Sequence, residues 1–192
     1  MANTKISDLP IATSLKNSDV LPSVNELTTK KVTKAILNGR LYQSTTVVPL
    51  LGTTTLTVMA SMLIPANTLE TNDTLKLNVF YSSLFVGQNV LPFIYTNTIN
   101  SLTGASLLGK ASPSNVNNFV PFERTFNVKD NTISGVNNLF NTYTDVLPMS
   151  VGSPAFTDTP FDKSINNYLL FAIQLGTTLG SMELNSISLI VL

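Results

Sequence analysis

Residues 54–64 read TTLTVMASMLI, and this stretch decides the fold class because apolar and polar side chains alternate along it. Successive side chains of an extended strand point to opposite faces. The alternation therefore predicts a β-strand with one buried face, while Thr55, Thr57 and Ser61 point the other way. The residues predicted to face inward are Leu56, Val58, Ala60, Met62 and Ile64.

The same alternation recurs in TLKLNVFY, residues 74–81, where it places Leu75, Leu77, Val79 and Tyr81 inward. Further strand-like runs are VLPFIYT (90–96), SLLGKA (106–111), VPFERTFNV (120–128), YLLFAIQL (168–175) and ELNSISLIVL (183–192). Turn-rich stretches such as TNDT, SPSNVNN and VKDNT separate the strands. About eight short strands predict an all-β fold for residues 41–192, an antiparallel β sandwich of the jelly-roll type.

Residues 1–40 have a different character, seen in KISDLPIATSLKNSDVLPSVNELTTKKVTKAIL at positions 5–37. Pro10 and Pro22 favour extended backbone at the residues that precede them. SDVLPSV is typical of a short strand, and TKAILNG of one short helix, with Thr33 as its N-cap and Gly39 at its end. Such a helix does not persist alone in water. We therefore expect an extended attachment segment that needs a partner surface.

Charge is scarce in the longer part of the chain. The whole sequence has 11 basic and 11 acidic residues, and residues 1–40 hold six bases and three acids, a net charge of +3. The remaining five bases and eight acids give residues 41–192 a net charge of −3 with only 13 charged residues. Soluble monomers normally carry more surface charge. The composition therefore favours a subunit that hides part of its surface in an oligomer.

Most familiar catalytic and metal chemistry is excluded, because the chain contains no His and no Cys. Ser-His-Asp and Cys-His catalysis and the usual zinc sites need those residues. Asp158 and Asp162 in FTDTPFDKS are the candidates for a glycosidase carboxylate pair or for calcium ligands. The surrounding residues indicate an ordinary turn instead. We therefore predict no catalytic residues, no metal and no cofactor.

Nucleic acid and membrane are not expected as partners. Lys30, Lys31 and Lys34 lack the interleaved aromatic residues of a nucleic-acid surface, so we interpret them as a solvated face. Asp8 and Pro10 interrupt the place where the apolar core of a secretion signal would lie. No apolar run reaches the 18 or so residues that a membrane helix needs.

Two sets of residues are candidates for contacts with other molecules. The last strand ends in SLIVL, with apolar side chains on both faces, so both faces need cover. We assign Ile187, Leu189 and Val191 as trimer-interface candidates; a central strand covered by a loop is the alternative. Aromatic residues near Asn- and Thr-rich loops can stack on sugars, and they can equally pack at the rim of the sandwich. These glycan-binding candidates are Tyr95, Phe140 and Tyr143.

The N-terminal stretch resembles the signature of bacteriophage fibre proteins. In that family a K-I-S-D/E-L-P segment precedes a D-x-L-P-V-like strand, a T-K-K-V-T strand and a short helix. The matching segments here are KISDLPIATSLKNSDVLPSV and TTKKVTKAIL, with Ser23 where the family usually has Val. The later segments MLIPANTLETNDTLKL, NSLTGASLLGK, PFERTF and LNSISLIVL are similar to the jelly-roll domains of phage fibre and appendage proteins.

The resemblance implies a non-enzymatic homotrimer, made in the bacterial cytoplasm and built into the virion. Its N-terminal segment would anchor it to a capsid, auxiliary capsid or tail protein, with Gly39 as the hinge into the domain. Two functions follow. One is a head fibre or capsid decoration protein; the other is a tail fibre whose jelly roll binds host surface glycans. The anchor residues would be Ile6, Leu9, Ile11, Val20, Leu21, Val24, Val32, Ile36 and Leu37.

Overall fold

The computed structural model describes residues 20–25, 28–33, 39–83, 90–110, 119–136 and 156–192. Throughout these ranges the secondary structure is β-strand joined by turns and loops, all strand pairs are antiparallel, and no helix is present. The prediction of an antiparallel all-β chain is confirmed. The predicted short helix falls largely on residues 34–38, outside the described ranges, and Thr33 is the last residue of a strand. The chain divides into two compact units after Gly39.

The first unit contains one antiparallel pair, β1 (Val20–Asn25) and β2 (Thr28–Thr33). The pair runs in register from Val20 opposite Thr33 to Asn25 opposite Thr28. These strands match the two extended segments expected at SDVLPSV and TTKKVT. Gly39 follows with a φ of 69°, a backbone conformation that glycine adopts without steric cost.

The described residues of the second unit form eleven strands in two sheets. The strands are β3 (Arg40–Ser44), β4 (Val48–Leu51), β5 (Thr57–Ile64), β6 (Thr74–Ser83), β7 (Val90–Asn97), β8 (Ser106–Lys110), β9 (Phe119–Val128), β10 (Thr132–Val136), β11 (Phe156–Pro160), β12 (Asn167–Leu175) and β13 (Ser181–Val191). The seven-stranded sheet has β13 near one edge, paired with β6 on one side and with both β3 and β4 on the other. The four-stranded sheet has the order β5-β12-β7-β8.

The pairing follows a regular scheme along the chain. β4 pairs with β13, β5 with β12, β6 with β9, and β7 with β8, so early strands meet late ones. Two further pairs, β6 with β13 and β7 with β12, join these into the two sheets. The β10–β11 hairpin extends the seven-stranded sheet beyond β9.

One hydrophobic core lies between the two sheets. Strand β6 behaves as its alternation predicts, because Leu75, Leu77, Val79 and Tyr81 are all buried. From the other sheet, β12 contributes Leu169, Phe171, Ile173 and Leu175 to the same cluster. Burial of apolar surface of this kind is the main favourable contribution to folding.

Strand β5 departs from strict alternation. Met62 and Ile64 are buried as predicted, and Ala60 packs against the core. The inward position is then taken by Met59, where Val58 was predicted. The register explains this, since Ala60 pairs with Phe171 and Val58 pairs with the next residue of β12. The extra residue is a β-bulge, which shifts the buried face by one position.

Candidate functional site

The outer face of the four-stranded sheet carries the one sugar-binding candidate that the structure describes. Tyr95 lies on β7, whose burial alternates strictly. Val90 and Ile94 point into the core, while Phe93 and Tyr95 lie on the opposite side and are partly exposed. Phe140 and Tyr143 lie outside the described residues. We define the outer face by its partly exposed apolar residues: Leu63, Leu91, Phe93, Tyr95, Leu107 and Tyr168.

Two aromatic rings form the centre of this outer face. Phe93 and Tyr95 are two residues apart on β7, so their side chains share a face. Their ring centroids lie 6.2 Å apart with 24° between the planes, a stacked arrangement. Desolvation by burial raises the pKa of the Tyr95 phenol, which therefore stays protonated and neutral at physiological pH. The two rings present a rigid, uncharged surface.

Leu170 and Ala172 form the floor of the outer face. In the register, Leu170 lies opposite Tyr95 and Ala172 lies opposite Phe93. Both side chains are fully buried, yet neither belongs to the core cluster between the sheets. Strand β12 is therefore apolar on both sides. The continuous run YLLFAIQL carries the signal for this in the sequence, because two-sided burial produces unbroken apolar runs.

Charge is distributed unequally between the two sheets. In β5, β7, β8 and β12 the one charged residue is Lys110, at the end of an edge strand. The strands of the seven-stranded sheet carry Arg40, Lys76, Glu123, Arg124, Asp158 and Glu183. Low charge in residues 41–192 was visible in the sequence. Its concentration in one sheet depends on which strands pair.

The two amides at the ends of the outer face already have hydrogen-bond acceptors. Asn97 Nδ2 donates to the carbonyl oxygens of Ser101 and Thr103, at 2.7 and 3.0 Å. Gln174 Nε2 donates to the carbonyl oxygen of Thr54 at 3.0 Å. These amides hold adjacent loops in place. The outer face is consequently suited to contact with apolar surface more than to hydrogen bonding with a polar ligand.

The trimer-interface candidates lie on the last strand, β13. Ile187 and Leu189 are 2% and 0% exposed and belong to the core of their own chain. Val191 is partly buried and packs against that core. The core of the same chain therefore buries Ile187 and Leu189. On the other face of β13, Ser188 and Ile190 are partly exposed.

Asp158 lies on strand β11, where the sequence predicts a turn, and Asp162 lies in the loop that follows; each makes local contacts. Asp158 accepts hydrogen bonds from the Ser134 hydroxyl and from Lys129 Nζ, the latter at 3.0 Å. Asp162 accepts from the Ser164 hydroxyl and backbone N–H at 2.6 and 2.8 Å. These hydrogen bonds hold the pKa of both carboxyls below the usual range. A general acid needs a raised pKa, so this arrangement does not favour acid catalysis.

An open cleft of about 470 Å³ lies beside Asp162, and its rim includes Glu70, Asp130 and Lys163. Hydrogen bonds link the residues that line the cleft. Lys163 Nζ donates to the Thr71 hydroxyl, and this hydroxyl donates to Asp130 at 2.7 Å. In the part of the chain that the structure describes, no group of three or more acidic, His or Cys side chains is arranged to hold a metal ion. We therefore assign no binding or catalytic role to this cleft.

Glu123 and Arg124, adjacent on β9, point to opposite faces, because successive side chains of a strand alternate, and each contacts neighbouring groups. Glu123 forms an ion pair with Lys76 across the β6–β9 pair at 2.8 Å. Arg124 is buried, and its Nη1 donates to the Glu123 carbonyl oxygen at 2.6 Å. Burial lowers the pKa of Arg124 to about 10, an effect that the nearby Tyr81 opposes. The guanidinium remains protonated at neutral pH.

The anchor residues of the first unit are only partly within the described ranges. Val20, Leu21 and Val24 lie on β1 and Val32 lies on β2, with Leu21 registered opposite Val32. Ile6, Leu9, Ile11, Ile36 and Leu37 lie outside the described residues. Their role in attachment stays a prediction.

Comparisons with known proteins identify no relative of this chain. No family model, no curated protein and no solved structure matches the chain. Among the described residues, no helix is long and apolar enough to cross a membrane.

Proposed function

We propose that this chain is a non-enzymatic structural protein of a bacteriophage virion, a homotrimeric head fibre or capsid decoration protein. Residues 1–40 attach it to another virion protein, and the β domain projects from the particle. The observation that carries the proposal is the division after Gly39 into a small unit with a β-hairpin and a separate β unit. The hairpin falls on the segments that resemble the phage fibre signature.

The proposal includes a jelly-roll fold for the second unit. A jelly roll forms when a long antiparallel hairpin of eight strands rolls up into two sheets. The pairing of β4 with β13, β5 with β12, β6 with β9 and β7 with β8 supports this. The sheet orders, with β13 between β4 and β6 and β12 between β5 and β7, support it as well. In this scheme the β10–β11 hairpin is an insertion.

The β unit begins at Arg40, directly after the first unit, and this favours the head over the tail, because tail fibres usually add a long shaft. Labelled antibody against the β domain, applied to intact virions, tests the proposal. We expect label distributed over the capsid and none on particles of a phage that lacks the gene. Virions without label would contradict the proposal.

The alternative function is a tail-associated adhesin that binds host surface glycans. Its supporting observation is the partly exposed stack of Phe93 and Tyr95. Label confined to the tail, together with host-cell binding that is lost in Tyr95→Ala, would favour it over the head fibre. Retention of binding in Tyr95→Ala would remove the outer face from consideration as the glycan site.

A further inference from the structure

We propose that the outer face of the four-stranded sheet is the surface through which copies of this chain pack against each other. The inference rests on the self-association in the proposed function and goes on to name the surface and its central residues. Phe93, Tyr95 and Tyr168 supply aromatic contact area, and Leu63 and Leu107 flank them on the edge strands. The occupant is a second copy of the chain.

The scarcity of charge on these strands favours an identical partner. In a closed symmetric assembly, each charged group near the axis meets copies of itself and is repelled. Strands β5, β7 and β12 carry no charged residue, and the one charge of β8, Lys110, lies on the edge strand opposite Phe93. Interface cores in general are depleted of charge and enriched in Tyr and Phe. The seven-stranded sheet, with charged residues on five of its strands, does not have this property.

The state of the polar groups distinguishes a second copy from a sugar. A bound sugar needs hydrogen-bond partners for its hydroxyls, since burying them unpaired costs free energy. Asn97 and Gln174 are the amides on this face, and their Nδ2 and Nε2 donors are bonded to loop carbonyls. No carboxylate lies on the four strands as the structure describes them. The face therefore offers a sugar mainly the hydroxyls of Tyr95 and Tyr168, whereas an apolar partner does not depend on such hydrogen bonds.

The face is large enough to form the central part of a subunit contact. Four strands of five to nine residues, about 4.8 Å apart and rising ~3.3 Å per residue, span roughly 500 Å² in projection. The accessible area of a corrugated surface exceeds its projection, and a standard interface covers about 800 Å² per partner. Leu170 and Ala172 fill the floor of the face, so a partner would meet a packed surface with the aromatic rings uppermost.

Charge insertion tests the inference on the full-length protein. Tyr95→Lys places like charges at the proposed contact in every copy, and we expect the mass in solution, measured by light scattering at micromolar concentration, to fall to that of a monomer. Leu63→Lys, on the edge strand β5, should act in the same direction. Asn78→Lys is the matched control, because Asn78 lies on the outer side of the seven-stranded sheet opposite Glu123. It should leave the oligomer intact. Circular dichroism of each variant establishes that it is folded.

A fluorescence measurement keeps the test valid if the lysine variants do not fold. The chain has no Trp, so Tyr95→Trp introduces a single reporter through an aromatic exchange. We expect its emission to move to longer wavelength as dilution dissociates the oligomer. Phe80→Trp, on the outer side of the other sheet and 38% exposed, should emit at the same wavelength throughout.

The outcomes separate the inference from the proposed function. An oligomeric wild type whose Tyr95→Lys and Leu63→Lys variants keep its mass would overturn the contact surface and leave self-association standing. Concentration-independent emission from Tyr95→Trp across a measured dissociation would do the same. A wild type that is monomeric at micromolar concentration would overturn both the surface and the trimer. Virion attachment is decided independently by antibody labelling.

Discussion

Tyr95 and Leu170 lie directly opposite each other on neighbouring strands β7 and β12, one partly exposed and the other fully buried. Both are on the side of the four-stranded sheet that faces away from the core. A leucine without solvent exposure outside the core cluster shows that this sheet has an apolar second side. The low charge content of residues 41–192, a property of the composition, is therefore located on the four-stranded sheet.

A charge on the inward side of β13 should prevent folding of the domain. Leu189 is 0% exposed in the core, and an unpaired buried charge there costs roughly 4 kcal/mol. Leu189→Asp is expected to give unfolded or aggregated protein. Ile190→Asp is the matched control, because the Ile190 side chain lies on the other face of the same strand and is partly exposed. Circular dichroism and urea unfolding distinguish the two; a cooperative unfolding transition in Leu189→Asp near that of wild type would contradict the core assignment.

Gly135 should not tolerate a side chain. A Cβ at this position would lie 2.5 Å from the backbone oxygen of Leu108, where β10 packs against β8. Gly135→Ala is expected to lower the free energy of unfolding by about 1–3 kcal/mol, since backbone must move to accommodate it. Gly104→Asn serves as the control, because that site has open space and a φ of +73°, which Asn tolerates. Equal stability of Gly135→Ala and wild type in urea would show that the two strands separate readily.

Acid should weaken the domain partly through Asp158. Its pKa is lowered first by the Ser134 hydrogen bond and then by Lys129, so the folded state favours the carboxylate. The resulting stabilisation is present above the unfolded pKa of about 3.9 and is lost as pH falls through the lower folded value. Ser134→Ala should raise the Asp158 pKa, as measured by NMR titration. A stability difference between wild type and Asp158→Asn that persists unchanged well below pH 3 would contradict this linkage.

Removing the first unit should separate attachment from folding. The cut belongs before Arg40, because Arg40 begins β3 and pairs with Ile190 on β13. A chain of residues 40–192 is expected to fold and to form the same oligomer as the full chain, since both sheets and the core lie within it. In complementation of a phage that lacks the gene, virions should assemble without this shortened protein. Its presence on particles at normal copy number would show that the β domain makes the attachment.

The domain should show no hydrolase activity and no dependence on metal. Both Asp158 and Asp162 have lowered pKa values, so neither is suited to act as the general acid of glycoside hydrolysis. Purified protein is expected to leave host polysaccharide unchanged, with or without chelator. Turnover that disappears in Asp158→Asn or Asp162→Asn would contradict this prediction.

Local alternation determined much of the fold at the level of single strands. The run TLKLNVFY predicted the four buried apolar residues of β6, because a period of two encodes which face is apolar. The same period of two places the adjacent residues Glu123 and Arg124 on opposite faces of β9, one exposed and the other buried. The first hairpin, β1 and β2, also follows from its sequence segments.

Tertiary structure decided which partner covers each apolar face. The bulge at Met59 depends on pairing between β5 and a strand more than 100 residues away, so its shift of the buried face could not be read from alternation alone. Likewise, SLIVL showed that β13 is apolar, but the burial of Leu189 by its own chain depends on the packing of the two sheets. The outer face around Tyr95, on which Lys110 is the one charged strand residue described, is a product of the sheet order β5-β12-β7-β8. Sequence patterns are local. The burial of each apolar strand face and the unequal distribution of charge between the two sheets arise from contacts between residues far apart in the chain.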